Sequence, residues 1–219
     1  MIGIMLTSKI EFENLLDLYN ITSDYLNSYP FGEYYKTTIN NKEVVFFRSN
    51  SRKVSASAAA QYMIDKFNLE KLLHIGTCTL INDELDYGDI IIPHLLAEYD
   101  LTIRELEPLI KENNIIKLKK YDLDLDYYEG LLITSDKALV TNKDLSMVKE
   151  TDALAADTES AAIAKVAKLN NVDFICIKGV TDGPMNNYEE QLEVYNENQS
   201  FVINKILQEY LMEFINWKK

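Results

Sequence analysis

The chain has 219 residues, 47% of them apolar, enough to build a sizeable core in one large domain or two small ones. Its 22 Lys and Arg stand against 35 Asp and Glu, a formal net charge of −13. That balance argues against nucleic acid as a partner, because phosphate binding draws on clustered Lys and Arg.

In chain order, Met1 to Leu6 is a short apolar run that reads as a buried strand. A helix is expected from about Ile10 to Tyr19. Tyr34 to Asn40 and Lys42 to Ser49 read as a hairpin with Asn40-Asn41 at its turn. Ser55 to Phe67 has small and apolar residues at helical spacing, and Lys71 to Thr77 is a continuous apolar run. A further run, Asp89 to Pro93, is entered by Tyr87-Gly88. A short surface helix is expected near Leu106 to Glu112 and a strand at Leu131 to Thr134. Thr158 to Leu169 reads as a helix, Asp173 to Val180 as a strand, and Tyr188 to Trp217 as one long amphipathic helix. Continuous apolar runs alternating with helices imply a mixed, largely parallel twisted sheet covered on both faces, a three-layer α/β/α arrangement. No repeat or linker interrupts the chain, so one domain over residues 1–219 is expected.

The longest near-apolar tract, Leu72 to Ile81, is too short to span a bilayer, and no charged-then-apolar leader opens the chain. A soluble cytoplasmic protein is expected. His74 and His94 lack ligand spacing and Cys78 and Cys176 lack a Cys-x-x-Cys pattern, so neither metal nor cofactor is expected. His74 sits mid-run and reads as a hydrogen-bonded core histidine.

Three acids stand out at the ends of these elements. Glu11 follows the first strand, Glu159 opens a small-residue helix, and Asp182 ends the last strand. In open α/β sheets ligands bind beyond the carboxyl ends of strands, so the fold brings such residues to one edge. Each also has a plain structural role. Ser8-Lys9-Ile10-Glu11 fits a capping box, Glu159 suits a helix dipole, and Asp182-Gly183-Pro184 is a turn signal.

Five segments resemble the purine/uridine nucleoside phosphorylase superfamily, most of all its methylthioadenosine/S-adenosylhomocysteine nucleosidase branch. They are Ile2-Gly3-Ile4 with Glu11, Ile75-Gly76-Thr77-Cys78, Tyr87-Gly88-Asp89-Ile90-Ile91-Ile92-Pro93, Asp157-Thr158-Glu159-Ser160-Ala161-Ala162, and Lys178-Gly179-Val180-Thr181-Asp182. The resemblance implies a nucleoside phosphorylase-like fold, a homodimer, and hydrolysis of a purine nucleoside's N-glycosidic bond without a cofactor. It implies Asp182 as general acid toward the purine, Glu11 as the base that activates water, and Glu159 as acceptor for the ribose hydroxyls. Thr77, Thr158 and Leu139 would contact substrate, and Thr181 would support Asp182.

Some family positions are changed. Thr158 stands where the family has Met, Ala138 where a Phe stacks on the purine, Thr79-Leu80 where a Gly-Gly pair follows the turn, and Ser51-Arg52-Lys53-Val54 in place of Gly-Ile-Gly-Lys-Val. The chain lacks the phosphorylase Gly-Asp-Pro-x-Arg pattern, and His74 stands where those enzymes carry Arg. Arg52 and Lys53 keep phosphorolysis open as the alternative. Nucleoside binding without turnover is the other.

Overall fold

The apolar run at Lys71 becomes the central strand, β5 (Lys71–Leu80), of one mixed sheet. A computed structural model describes residues 1–101 and 114–216, and the helix expected near Leu106 to Glu112 lies outside them. In chain order the strands are β1 (Ile2–Leu6), β2 (Asn27–Tyr29), β3 (Gly32–Ile39), β4 (Lys42–Arg48), β5, β6 (Ile90–Ile91), β7 (Leu95–Glu98), β8 (Ile116–Lys117), β9 (Leu131–Thr134), β10 (Ala155–Asp157) and β11 (Asp173–Asp182). The helices are α1 (Lys9–Leu18), α2 (Lys53–Phe67), α3 (Asn142–Val148), α4 (Ser160–Leu169), α5 (Tyr188–Lys205) and α6 (Leu211–Asn216). The strand order is β2-β3-β4-β1-β5-β10-β9-β7-β8, with β11 paired to β5 and β6.

Alternation along the strands sorts the core into two layers. Met5, Phe47, Leu72 and Cys176 face α2 and α4, whose small residues Ala56, Ala60, Ala161 and Ala164 let the helices sit close. Their chain neighbours Ile4, Phe46, Leu73 and Ile175 face α1, α5 and α6, against Leu15, Val202 and Phe214. Each such buried side chain contributes about 1.5–3 kcal/mol of transfer free energy. The hairpin turns at Asn40 (φ 48°) and Asn41 (φ 61°), the pair of positive φ angles that suits a right-twisted ladder.

Several elements differ from the sequence reading. β5 runs past Thr77 to Leu80 because β10 pairs antiparallel with Thr79 and Leu80. Thr77 is therefore inside a strand rather than just after one. The helix expected from Thr158 begins at Ser160, since Asp157 ends β10 and its carboxylate accepts the Ser160 N–H at 3.1 Å. The run at Asp89 pairs only through Ile90–Ile91. The C-terminal helix is not continuous. A π-helical turn at Ile206–Tyr210 separates α5 from α6, and buried Ile206, Leu207 and Tyr210 face the sheet through it. Trp217 lies outside the described residues.

β5 also splits the sheet. Along one side it pairs with β11 from Lys71 to Thr79. Along the other, its first half pairs with β1 as far as His74, and its end pairs with β10. Between the end of β1 and the tip of β10, the stretch around Thr77 has no strand neighbour on that side among the described residues, and a cavity forms there.

Candidate active site

The cavity measures about 290 Å³ and is floored by Thr77, Cys78 and Thr79 of β5. Thr7, Ser8 and Glu11 close one wall, Ala156 to Glu159 another, and Asp182 sits at the β11 end. Tyr188, Gln191, Leu192 and Tyr195 of α5 cover it, and Ser51 and Arg52 stand where β4 leads into α2. It thus gathers Glu11, Thr77, Thr158, Glu159 and Asp182 of the expected residues.

Two expected residues are not in the lining. Thr181 is fully buried and donates to Asp182 Oδ1 at 2.7 Å. Leu139 packs in a small core cluster, and its carbonyl accepts from Gln191 Nε2 at 2.6 Å; its neighbour Ala138 is the one that faces the cavity. With a methyl group at that position, the aromatic rings on offer are Tyr188 and Tyr195.

Each carboxylate is held differently. Glu11 ties α1 to β5. Its Oε2 accepts the Ser8 N–H at 3.0 Å, closing the capping box of α1. Its Oε1 crosses to β5, accepting from the Thr77 N–H at 3.0 Å and the Thr77 hydroxyl at 3.2 Å. The side chain is 2% exposed and fixed at both oxygens.

Asp182 is 5% exposed. Its oxygens accept from the hydroxyls of Thr181 at 2.7 Å and Thr79 at 3.0 Å, and the side-chain amide of Gln191 also acts on it. Burial outweighs these bonds and pushes its pKa up to about 6. Thr79, which stands where the family has a glycine, thus supplies one of the hydrogen bonds that hold this acid.

Glu159 accepts the Arg52 N–H at 3.0 Å and the hydroxyl of Thr158. Burial raises its pKa; the charge of Lys178 opposes that, and the charge of Asp157 adds to it.

Beneath these three lies a polar network of which the sequence reading singled out only His74, as the hydrogen-bonded core histidine it is. Lys178, 1% exposed, forms an ion pair with Asp157 Oδ2 at 3.1 Å. Burial works against its charge, but Asp157, Glu159 and Glu11 together hold the ammonium above the ordinary lysine range. Lys178 lies beside Gly76 in the β5–β11 register. A Cβ on Gly76 would come within 2.8 Å of Lys178 Nζ and 3.3 Å of Glu11 Oε1, so this glycine keeps the cation and the carboxylate together. His74 is fully buried, and burial with the Lys178 charge lowers its pKa well below the usual value. The neutral ring accepts from Lys178 at Nε2 (3.4 Å), which leaves Nδ1–H to donate to Ser160 Oγ at 3.0 Å. Ser160 donates in turn to Asp157. A lysine inside the apolar run Phe174 to Val180 was the available signal, because a buried cation must be paired.

Anion ligands are scarce here. Lys53 is held by Glu98 at 3.0 Å and Asp100 at 2.7 Å. Lys178 is held by Asp157. Arg52 is the one cation among the lining residues. Among the described residues no group of three or more His, Cys, Asp or Glu is placed to hold a metal, and no helix is long and apolar enough to cross a membrane. A protonatable carboxyl, a fixed carboxylate and a hydroxyl acceptor around one cavity can donate a proton, take one, and hold a polyol.

This fold recurs in known proteins. A 5′-methylthioadenosine/S-adenosylhomocysteine nucleosidase of Buchnera aphidicola is 27% identical over 186 residues, covering 76% of this chain and 80% of that one. The structure of the nucleosidase of the same name from Helicobacter pylori, with butyl-thio-DADMe-Immucillin-A, superposes with a TM-score of 0.82 at 20% identity, covering 97% of each chain. Futalosine hydrolase of Helicobacter pylori superposes with a TM-score of 0.80 at 18% identity, covering 93% of this chain and 92% of that one. The model of the phosphorylase superfamily matches residues 1–211, nearly the whole length over which the sheet, its helices and the carboxylate cavity are built, and the chain belongs to that superfamily.

Proposed function

We infer that this protein is a nucleosidase that hydrolyses the N-glycosidic bond of an adenosine-type nucleoside, 5′-methylthio- or homocysteinyl-substituted, releasing free base and the ribose moiety. The observation that carries the reading is Asp182, with a pKa of about 6, in one cavity with Glu11 and Glu159. The chemistry needs a proton for the leaving purine, a grip on the ribose, and a water on the far face of C1′. Asp182, still partly protonated near neutral pH, donates toward the purine N7, with Thr181 and Thr79 orienting it. Glu159 accepts from the 2′- and 3′-hydroxyls. Glu11 orients the water and takes its proton. Thr77 and Thr158 line the ribose side, and Leu139 supports the purine side through its backbone contact with Gln191. The positive charge that grows on the sugar ring is stabilised by the two glutamates, an electrostatic contribution that operates strongly in a buried site.

Water fits this cavity better than phosphate. A phosphate would lie against Glu11 and Glu159, while Lys53 and Lys178 are already engaged. The assembly we propose is a homodimer in the cytoplasm. The exposed Val54 on α2, beside Ser57, Ala58 and Ala162, gives a second subunit a small-residue face to cover, and the two unpaired buried thiols suit a reducing compartment.

The test is direct. The purified chain is incubated with methylthioadenosine, S-adenosylhomocysteine, adenosine and inosine, with and without phosphate, and free base is measured by chromatography. Base release without phosphate is expected. Release only with phosphate would make the protein a phosphorylase, and tight binding with no release would make it a nucleoside-binding protein. Sedimentation at micromolar concentration reads the dimer.

A further inference from the structure

The cavity has a direction. Across the sheet edge the strands run β4, β1, β5, β11. Asp182 stands at the β11 end, and Ser51 and Arg52 stand just past β4. Three strand spacings separate those ends, about 14 Å. Glu159 lies between, reached by the Arg52 N–H at 3.0 Å. With the purine at Asp182 and the ribose diol at Glu159, the 5′ substituent extends toward Ser8, Ser51 and Arg52.

This end of the cavity is polar, and its cation is unusual. Arg52 has φ 84° and ψ 154°, a backbone region used almost only by glycine. Holding a side chain there costs roughly 1–3 kcal/mol. Its N–H is spent on Glu159, but any residue other than proline supplies an N–H, and glycine would supply it without strain. Its guanidinium has no hydrogen-bond partner among the described residues. The other charged residues of the lining are Glu11, Asp157, Glu159 and Asp182, all acids. An arginine kept at a glycine position, with five free donors at the open end of an acidic cavity, is equipped to meet an oxyanion.

We propose that Arg52 is the specificity-determining residue of this site and selects nucleosides whose 5′ substituent carries a carboxylate over those with a neutral one. The inference rests on the nucleosidase reading. The oxyanion could also come from free phosphate, so the experiment separates the two sources.

The measurement is kcat/KM for base release from methylthioadenosine, from S-adenosylhomocysteine, and from the 5′-carboxyethylthio analogue of adenosine, which share the same base and sugar. Each is assayed with and without phosphate for the natural chain and for Arg52→Gln, Arg52→Lys and Arg52→Gly. The natural chain should prefer the carboxyethylthio nucleoside over methylthioadenosine by roughly 10- to 100-fold, the worth of a charge-assisted pair. Arg52→Gln should bring that ratio close to one, chiefly through KM, and Arg52→Lys should restore part of it. Should Arg52→Gln fold poorly, Arg52→Gly relieves the strained backbone and reads the same loss. A ratio near one in the natural chain, or a ratio unchanged in the variants, overturns the proposal and leaves the nucleosidase reading standing. If base release requires phosphate and the variants lose that phosphate-dependent release with every nucleoside alike, Arg52 holds phosphate, and both readings fall. If no nucleoside is cleaved under any condition, the nucleosidase reading itself fails and takes this one with it.

Discussion

Asp182 is a carboxyl whose surroundings favour its protonated form, and two predictions at the scale of the residue follow from that and from Arg52. Acting as general acid with a pKa of about 6, Asp182 makes kcat/KM fall about tenfold per pH unit above that value. Asp182→Asn cannot donate in the same way and should lose two to four orders of magnitude in kcat, on the scale of general acid catalysis, about 10²–10⁴-fold. The amide still meets the hydroxyls of Thr79 and Thr181, which can rotate to accept as well as donate. The variant should therefore melt no lower than the natural chain at pH 7.5, and a melting curve beside the rate separates lost chemistry from lost fold. Arg52→Gly should raise stability by about 1 kcal/mol, the strain relieved less the extra freedom glycine has in the unfolded chain. Urea unfolding reads this, and an unchanged midpoint would mean that the backbone there is not strained. Glu11, Glu159 and Asp182 each border an element that the sequence shows: Glu11 follows the first strand, Glu159 precedes α4, and Asp182 ends β11. The bonds that set their chemistry were not legible there. Thr79 reaches Asp182 and Thr77 reaches Glu11 from residues 103 and 66 positions away, and only the strand register decides which hydroxyls meet which acid.

At the scale of elements, the tip of β10 is joined to the middle of β11 through one buried ion pair. Lys178 and Asp157 are each 1% exposed at the side chain, 3.1 Å apart, and tied on to His74 and Ser160. Removing one partner leaves the other charge buried and alone, which costs about 3–5 kcal/mol. Lys178→Met should destabilise by that order, and adding Asp157→Asn should recover a large part of it. A double-mutant cycle by urea unfolding measures the coupling, and additive losses would show that the pair does not act as a unit. The same elements show what a sequence can and cannot disclose. The long apolar runs of β1, β5 and β11 were legible because both faces of a covered sheet must be apolar. The two-residue strand β8 was not, and of the apolar run at Asp89 only Ile90–Ile91 became a strand, since pairing, not pattern, defines such short strands. The short α3 was missed although Thr141 and Asp144 form a capping box that its sequence spells out. The break between α5 and α6 has no Pro or Gly to mark it; ahead of it, Gly179 of the sheet admits Val202 of α5 so closely that a Cβ would lie 2.0 Å from that side chain.

For the whole molecule, the excess of acids and the buried carboxylates act in the same direction on stability. A formal charge of −13 at pH 7 means self-repulsion, which weakens as carboxylates protonate. Asp182 adds to this. Its folded pKa, about 6, lies above the ordinary 3.8, so the folded chain binds the proton more tightly than the unfolded one. Its contribution is complete below the ordinary value and is lost as pH rises through about 6. Glu159, also raised by burial, has the same sign. Asp100 and Asp144 oppose them at lower pH. Despite partial burial, Lys53 and the Asp136 N–H hold Asp100 below its usual range, and Lys137 and Thr141 do the same for Asp144. What those two contribute is present above the ordinary carboxylate pKa and is lost as pH falls below it. The two sets bracket a maximum between about pH 4 and pH 6. The melting temperature should therefore be higher at pH 5.5 than at pH 7.5 and fall again below about pH 4. Sodium chloride should raise it at pH 7.5 by screening the repulsion, and should do less at pH 5.5. Asp182→Asn should flatten the rise between pH 7.5 and 5.5, because an amide has no proton to gain there. A melting temperature that declines steadily from pH 7.5 to 5.5 in the natural chain would contradict the raised pKa of Asp182, and with it the assignment of that residue as the acid.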